Sequence, residues 1–436
     1  MSIAVLSGLI MIIVLALLLI AGAPIAVSLA ISSCCGILPV MNLGPTVLTS
    51  AQRIFSGMSV FSLLAIPFFI LAGNIMNRGG IAERLINFAS LLTGNIPGSL
   101  AQTNVVANML FGAISGSGTA AASAMGSIIG PIEDKAGYDR GFSAAANIAS
   151  APCGLLIPPS NIMITYALVS GGTSIAALFL AGYIPGILWG LACMVVIYFM
   201  AHRRGYLKLT KVATTNQAKA KVVWEAIPAL LMIVIVIGGI IGGVFTATEG
   251  SVIAVVYSLI LSLCYKTIKL RDLPKIILDS AEMSCIIMFL IGTSSITSWV
   301  MAFTSIPTAI SHAMLSVTSN KFLILLFINI ILLIVGTFMD MTPACLIFTP
   351  IFLPVCQTLG MNPVQFGIMI IANLCIGTIT PPVGSTLFVG VKVGKTKIET
   401  VFKPLLYYFA AIGIVLLLIT YIPQLSMWLP SLSGYV

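Results

Sequence analysis

Two stretches decide how this chain folds: NIASAPCGLLIPPSNIMITYA (Asn147–Ala167) and IIANLCIGTITPPVGSTLFVG (Ile370–Gly390). Laid over one another at an offset of 223 residues, they pair Ala149 with Ala372, Gly154 with Gly377, and Pro158-Pro159 with Pro381-Pro382. Each is a long apolar stretch interrupted by glycine, small polar residues and a double proline. Proline removes an amide donor and frees carbonyls upstream, so neither stretch can be one straight helix. Apolar segments broken at matching places in two halves of a chain point to a transport site between the halves.

The rest of the composition agrees. Of 436 residues 59% are hydrophobic and only 7% charged, and the mean hydropathy is +1.16. An average soluble chain is roughly a quarter charged. Apolar runs recur from Ile3 to the C-terminus, and many approach the roughly 20 residues that cross a bilayer. An all-α polytopic membrane protein surrounded by lipid is expected. Met1-Ser2-Ile3 enters the first run with no basic region before it, so that run reads as a span and not as a cleaved signal. The net charge of +9 sits in short loops between apolar runs, as the positive-inside rule expects, and no nucleic-acid partner is implied. Nine cysteines are scattered without a CxxC spacing, and His202 and His312 stand alone. Neither a metal cluster nor a catalytic one can be built from them, which argues against a membrane enzyme.

In chain order, Ile3 to Ile20 and Ile25 to Val40 read as two spans parted by Gly22-Ala23-Pro24, and Ser59 to Met76 as a third. Pro45 to Gly57 suits the surface. Ile81 to Leu92, with Glu83, Arg84 and Asn87 among apolar residues, suits a helix lying in the interface. Residues 97–131 are weakly apolar around ISGSGTAAASAMGS and predict a re-entrant helical hairpin. Such backbone is tolerated in a membrane only where it is buried in protein or lines a wet cavity. The broken span 141–169 and a crossing from Ala176 to Met200 complete a first half, residues 1–201. A basic linker, 202–221, carries His202, Arg203, Arg204, Lys208, Lys211, Lys219 and Lys221. The second half, 222–436, holds spans at Val222 to Gly243, Gly250 to Tyr265 and Glu282 to Phe303. It continues with a hairpin at 320–354 around VGTFMDMTPA, a broken span at 367–391 and a crossing from Leu405 to Ile422. That makes about ten crossings and two hairpins. With the basic loops inside, the first hairpin enters from the cytoplasm, the second from outside, and both termini lie outside. The halves then form an inverted repeat, in which the offset pairs Ser117 with Asp340 and Pro131 with Pro354.

Asp340 is the sharpest single residue. A carboxylate at mid-membrane costs about 2.5–3.5 kcal/mol even on insertion scales, unless it faces a cation or water. Gly336 and Thr337 before it, closed against the break at Gly377 to Thr380, would offer oxygens to a small hard cation such as sodium. Ser115-Gly116-Ser117, closed against Ser150 to Gly154, would do the same mainly through carbonyls and hydroxyls. The structural alternatives are a surface carboxylate capping a helix, and close packing of small residues. Half-helices starting beyond Pro158-Pro159 and Pro381-Pro382 would aim amides and positive dipole ends at an anion. Asn147, Ser150, Ser160, Asn161, Asn373 and Ser385 would add polar groups to that anion site. Glu249 reads as structural, and Glu133, Asp134, Lys135, Asp139 and Arg140 as a solvated loop.

Several motifs carry a family resemblance. FSLLAIPFF (Phe61–Phe69), LAGNIMNRGG (Leu71–Gly80), the Ser-Gly-Ser turn, Pro158-Pro159-Ser160 and Thr380-Pro381-Pro382-Val383-Gly384 resemble the large membrane subunit of tripartite ATP-independent periplasmic (TRAP) transporters. The likeness runs over essentially the whole chain. It implies an elevator-type secondary transporter of the ion-transporter superfamily, driven by Na+ ions bound at the two hairpin tips. It also implies a small four-helix membrane subunit, a periplasmic substrate-binding protein and a place in the bacterial inner membrane. The substrate it implies is an organic acid anion, either a C4-dicarboxylate or a sugar acid. The run at 380–390 is nearer to the sialic-acid and other sugar-acid members. A stand-alone proton- or sodium-coupled carrier of the same fold is the alternative within transport. A passive channel would have no use for two hairpins with paired breaks. The topology has a direct check. A cysteine introduced by Ser2→Cys should react with an impermeant label on intact cells, and labelling only after permeabilisation would put the N-terminus inside.

Overall fold

Gly22 turns the chain back on itself. The computed structural model describes residues 3–206, 216–318 and 320–435. In it Ile3–Ile20 and Ile25–Ile37 are separate helices, and Gly22 between them has φ +81°. They run antiparallel, since a Cβ on Gly36 would stand 2.3 Å from Met11 Cγ. A single tilted helix through this region is excluded. Met1, Ser2 and Val436, on which the sides of the termini rest, lie outside the described residues, as do Lys208 and Lys211 of the linker. A helix starting at Asn216 takes up Lys219 and Lys221, so the expected linker extends too far.

Every described element is helical. Nine described helices are long and apolar enough to cross a membrane, or ten if Arg140–Leu156 and Asn161–Val169, bent by 50°, make one crossing. Length alone includes both arms of the second hairpin in that number. Ile12, Leu17, Phe199 and Trp224 are among the large apolar side chains left exposed, as lipid-facing surfaces require. Leu43–Met58 packs along the 31-residue helix Leu273–Phe303, where a Cβ on Gly57 would meet Ser295 Oγ at 2.2 Å. That long helix begins well before the crossing expected at Glu282. Ile306–Val317 is a helix in a stretch to which the sequence reading assigns nothing. It stands close to the repeat offset from Ile81–Thr93.

The two hairpins pair Ser99–Ser115 with Gly118–Lys135 and Lys321–Phe338 with Met341–Thr358. The first runs past its expected end because Pro131 is accommodated inside the helix, as Pro350 and Pro354 are in the second. Proline there removes one backbone bond without ending the helix. The hairpins enter from opposite ends. At the base of the first, Gly98 N donates to Tyr206 O, and Gly141 stands beside Thr400. At the base of the second, Tyr421 Oη donates to Phe322 O and Gln365 Nε2 to Thr420 O. Thr400 and Tyr421 are at opposite ends of one helix, Ile398–Tyr421. At 1.5 Å per residue they are about 30 Å apart.

Glycines hold each hairpin to its broken helix. A Cβ on Gly154 would lie 2.3 Å from Gly112 Cα, and one on Gly377 would lie 2.5 Å from the Gly336 carbonyl carbon. Backbone meets backbone at both places. Beyond each break the chain crosses to the other half. Asn161–Val169 packs on Met341–Thr358, and Ser385–Val393 packs on Gly118–Lys135. Tyr166 Oη donates to Pro363 O at 2.6 Å. Cys375 Sγ lies 3.8 Å from Pro152 O; these two residues are equivalent at the repeat offset, so their contact marks the pseudo-twofold axis. Gly377→Ala should lower the melting temperature of the detergent-solubilised protein by an amount corresponding to about 1–3 kcal/mol of overpacking. Gly413→Ala, with no atom within 4 Å of the added Cβ, should not lower it. Equal effects from the two changes would remove the contact from the account of stability.

Candidate ion and substrate sites

The first hairpin turns at Gly116, where φ is +61° and a residue without Cβ is favoured. Ser117 caps the second arm, its Oγ accepting from Ala120 N at 3.3 Å and lying 3.1 Å from Thr119 Oγ1. Ser115 Oγ donates to Ser117 O at 3.4 Å. One turn below, Gly112 rests on Gly154. Asn161 closes the tip from the side, its Nδ2 2.9 Å from where a Gly116 Cβ would be. Asn161 Oδ1 and Ser160 Oγ are buried there without a hydrogen-bond partner. Leaving such an atom unsatisfied costs about 1–3 kcal/mol, and a cation or a water would offset that cost.

The second tip differs. Asp340 is the N-cap of Met341–Thr358, but its carboxylate makes no capping bond. Instead its Oδ1 accepts from Ser385 Oγ at 3.2 Å, so the helix-capping alternative for this carboxylate fails. Thr337 O accepts from Val383 N at 3.2 Å. A Cβ on Gly384 would stand 2.8 Å from both Thr378 O and Thr380 O, so the chain folds tightly over those carbonyls. Thr380 Oγ1 donates to Ile376 O at 2.7 Å. Gly336, Thr337, Asp340, Gly377 and Thr380 thus gather at one break, and Ser385 belongs with them and not with the anion donors. Asp340 and Pro382 are exposed, whereas Pro158, Pro159 and Ser160 are buried. Both double prolines hold a cis bond.

Three residues expected at the anion site serve another purpose. Asn108 Nδ2 donates to Asn147 Oδ1 at 3.1 Å, Ser150 Oγ at 2.9 Å and Asn104 Oδ1 at 2.9 Å. Asn147 Nδ2 donates to Ala122 O at 2.8 Å. In the other half Asn373 Nδ2 donates to Asn329 Oδ1 at 2.9 Å, and Asn329 Nδ2 to Thr420 Oγ1 at 3.1 Å. Asn147, Ser150 and Asn373 are therefore buried ties between each broken helix and its own hairpin. Their side chains meet hairpin asparagines inside the protein, although Asn373 Oδ1 is left without a partner and Asn147 also lines a small cavity at the first hairpin base. The partners Asn104, Asn108 and Asn329 escaped the sequence reading. Two asparagines four residues apart in an apolar helix share one face, and that signal could have found the first pair.

Two cavities are relevant. One of about 550 Å³ lies between Leu43–Met58, Leu273–Phe303 and the end of Asn161–Val169. Arg53 is the one charged residue in its lining, with Ser56, Ser294, Ser295 and Ser298 around it, and its guanidinium stands 5.8 Å from the Trp299 ring centroid. The other, of about 120 Å³, opens at the base of the first hairpin and is lined by Glu133, Ser143, Asn104 and Asn147. Here the expected solvated loop is wrong for one residue of its five, Glu133. Asp134 and Arg140 pair at the surface, and Arg140 holds the Asp134 carboxyl below its ordinary range. Glu133 is instead 1% exposed, because the last turn of its helix directs it inward. Glu249 is structural: with Thr246 it forms a reciprocal helix cap.

The family described as "Tripartite ATP-independent periplasmic transporter, DctM component" matches residues 12–425. An uncharacterized protein of Salmonella typhimurium, YgiK, is 52% identical over 96% of this chain and 95% of its own. The isethionate TRAP transporter permease DctMQ of Oleidesulfovibrio alaskensis is 40% identical over 95% of this chain and 65% of its own greater length. The sialic acid TRAP transporter large permease SiaM of Vibrio cholerae is 37% identical over 96% of this chain and 97% of its own. Among solved structures, the YdaH transporter of Alcanivorax borkumensis shares the fold with a TM-score of 0.63. The match covers 91% of this chain and 90% of that one at 13% identity. With the family matched across nearly its whole length and the paired hairpins and broken helices in place, this chain belongs to the large membrane subunits of the TRAP transporters.

Proposed function

We propose that this permease carries an organic acid anion inward across the bacterial inner membrane, coupled to sodium. The hairpins and broken helices would move as one body against the remaining helices. The observation that carries this reading is the seating of each hairpin tip on its own broken helix through a glycine pair. At the first tip Asn161 Oδ1 and Ser160 Oγ have no partner, and at the second the Asp340 carboxylate caps no helix and accepts from Ser385 Oγ. Hard monovalent cations take such mixed carbonyl, hydroxyl and carboxylate donors at unwound helices. On this reading the second site depends on the Asp340 carboxylate, whereas Ser117 contributes to the first mainly through its backbone, since its Oγ is already engaged in capping.

The anion's charge is met by the half-helix ends beyond the double prolines, and Arg53 draws it into the larger cavity. A sugar acid such as sialic acid is the first choice, on the residues of 380–390 and the likeness to SiaM. C4-dicarboxylates and sulfonates share the same anionic chemistry. The small four-helix subunit and a periplasmic binding protein complete the transporter.

Uptake into proteoliposomes holding this chain, the small subunit and a loaded binding protein tests the reading. Uptake should require both the binding protein and an inward sodium gradient; uptake without either would favour a stand-alone carrier. Asp340→Ala should raise the sodium concentration for half-maximal uptake about tenfold or more. That is the expected effect of losing one charge-assisted contact worth about 1.5–3 kcal/mol. Ser117→Ala should change it by much less. Normal sodium dependence in the Asp340 variant would remove the second cation site.

A further inference from the structure

The base of the first hairpin contains a carboxyl that the transport reading does not use. Glu133 is buried on the last turn of Gly118–Lys135, and its Oε1 has no hydrogen-bond partner. Two more polar atoms in the lining of the same cavity, Ser143 Oγ and Asn104 Nδ2, also lack a well-formed hydrogen bond; Ser143 lies against the Glu133 carboxyl and opposes part of the effect of burial on it. About 120 Å³ is room for a few waters, and water needs two to four polar partners, which these groups supply. The cavity runs from surface residues Asp134, Arg140 and Lys395 inward to Asn147. There it joins the asparagine ladder that ends at Ser150, next to the first break.

Among the described residues no cation neutralises Glu133. Arg140 is bound to Asp134 through both carboxylate oxygens. Arg204 is bound to Asp139 at 3.0 Å. Lys395 lies at the exposed rim, on the Asp134 side. The phenols Tyr138 and Tyr408 also face it, the latter with a buried oxygen that lacks a partner. A desolvated carboxylate without a cation is disfavoured against its neutral acid. At the repeat offset its counterpart is Cys356, so only one half of the molecule carries this group.

We propose that the Glu133 cavity is a proton-binding site, separate from the sodium sites. Through it, the end of the transporter where the first hairpin is anchored senses pH. The carboxyl takes its proton from cavity water when the hairpin base is closed. When the proton leaves, the carboxylate draws water into the cavity and loosens the base. Burial raises the carboxyl of Glu133, in a helix that is not among the candidate spans, to about 8.

The sign of the linkage follows. Below the ordinary carboxylate range both folded and unfolded chains hold the proton. Between that range and about pH 8 only the folded chain holds it, so raising pH costs the folded state stability until the folded carboxyl ionises. Glu133→Gln removes that cost. Infrared difference spectra of the whole protein in lipid should show a protonated-carboxyl band that disappears as pH rises through about 8 and is missing in Glu133→Gln. The variant should also lose less thermal stability than the parent as pH rises from the ordinary carboxylate range to about 8. In proteoliposomes at fixed sodium, parent uptake should fall severalfold as pH rises through about 8, whereas uptake by the variant should stay flat. A carboxyl already ionised at neutral pH, the same band in the variant, or identical pH profiles of uptake would each overturn the proposal. The spectra and melting curves need no transport, so they decide on the proton site even if sodium coupling fails.

Discussion

Two backbone contacts organise the molecule, Gly112 on Gly154 and Gly336 on Gly377. At each, a hairpin arm and a broken helix approach until no side chain fits between them. In a bilayer, helices gain nothing from expelling water against one another; close van der Waals approach and internal hydrogen bonds hold them. The glycine pairs give that approach, and the asparagine ties next to them provide the hydrogen bonds. Non-helical backbone at mid-membrane is otherwise prohibitive. Here the first tip and its break cover each other within the protein, whereas the second pair meets through the same glycine contact but opens to the surface at Asp340 and Pro382.

The two halves use this arrangement unequally. The first tip is half-buried, its Ser117 engaged in capping, with Asn161 folded over it. The second is exposed and presents a carboxylate that caps nothing. Pseudo-symmetry relates the backbones of the two sites while the side chains set them apart, so two ions bound there would meet different fields. The same inequality extends to the hairpin bases, where Glu133 faces a polar cavity and its counterpart Cys356 is packed in the core.

Most of the architecture was legible in the residues. The double prolines, the small-residue tips and the 223-residue offset located both hairpins and both broken helices, because they are written as breaks in apolar runs. Hairpin ends were less legible. The expected first hairpin ends at Pro131, yet that residue lies exposed inside the helix, where its missing bond is tolerated. Glu133 was misread because charge runs are usually solvated, and only the helical register shows that Asp134 and Glu133 point opposite ways. Asn147, Ser150 and Asn373 are expected to line the anion site, and the structure ties them to hairpin asparagines. Composition cannot say whether an asparagine faces a ligand or another asparagine, and that depended on arms brought in from elsewhere in the chain. Ile306–Val317 was overlooked because it is short and interrupts no pattern.

The exchange of half-helices between the two repeats has a consequence for biosynthesis. Asn161–Val169 rests on Met341–Thr358, and Tyr166 is bonded at Pro363. These partners emerge from the ribosome nearly two hundred residues later. Until then the first broken helix has one segment without its packing surface, so the first half cannot reach its final form during synthesis. It must wait in the membrane for the second half to arrive. A gene cut between the halves would therefore encode two fragments that depend on each other to mature.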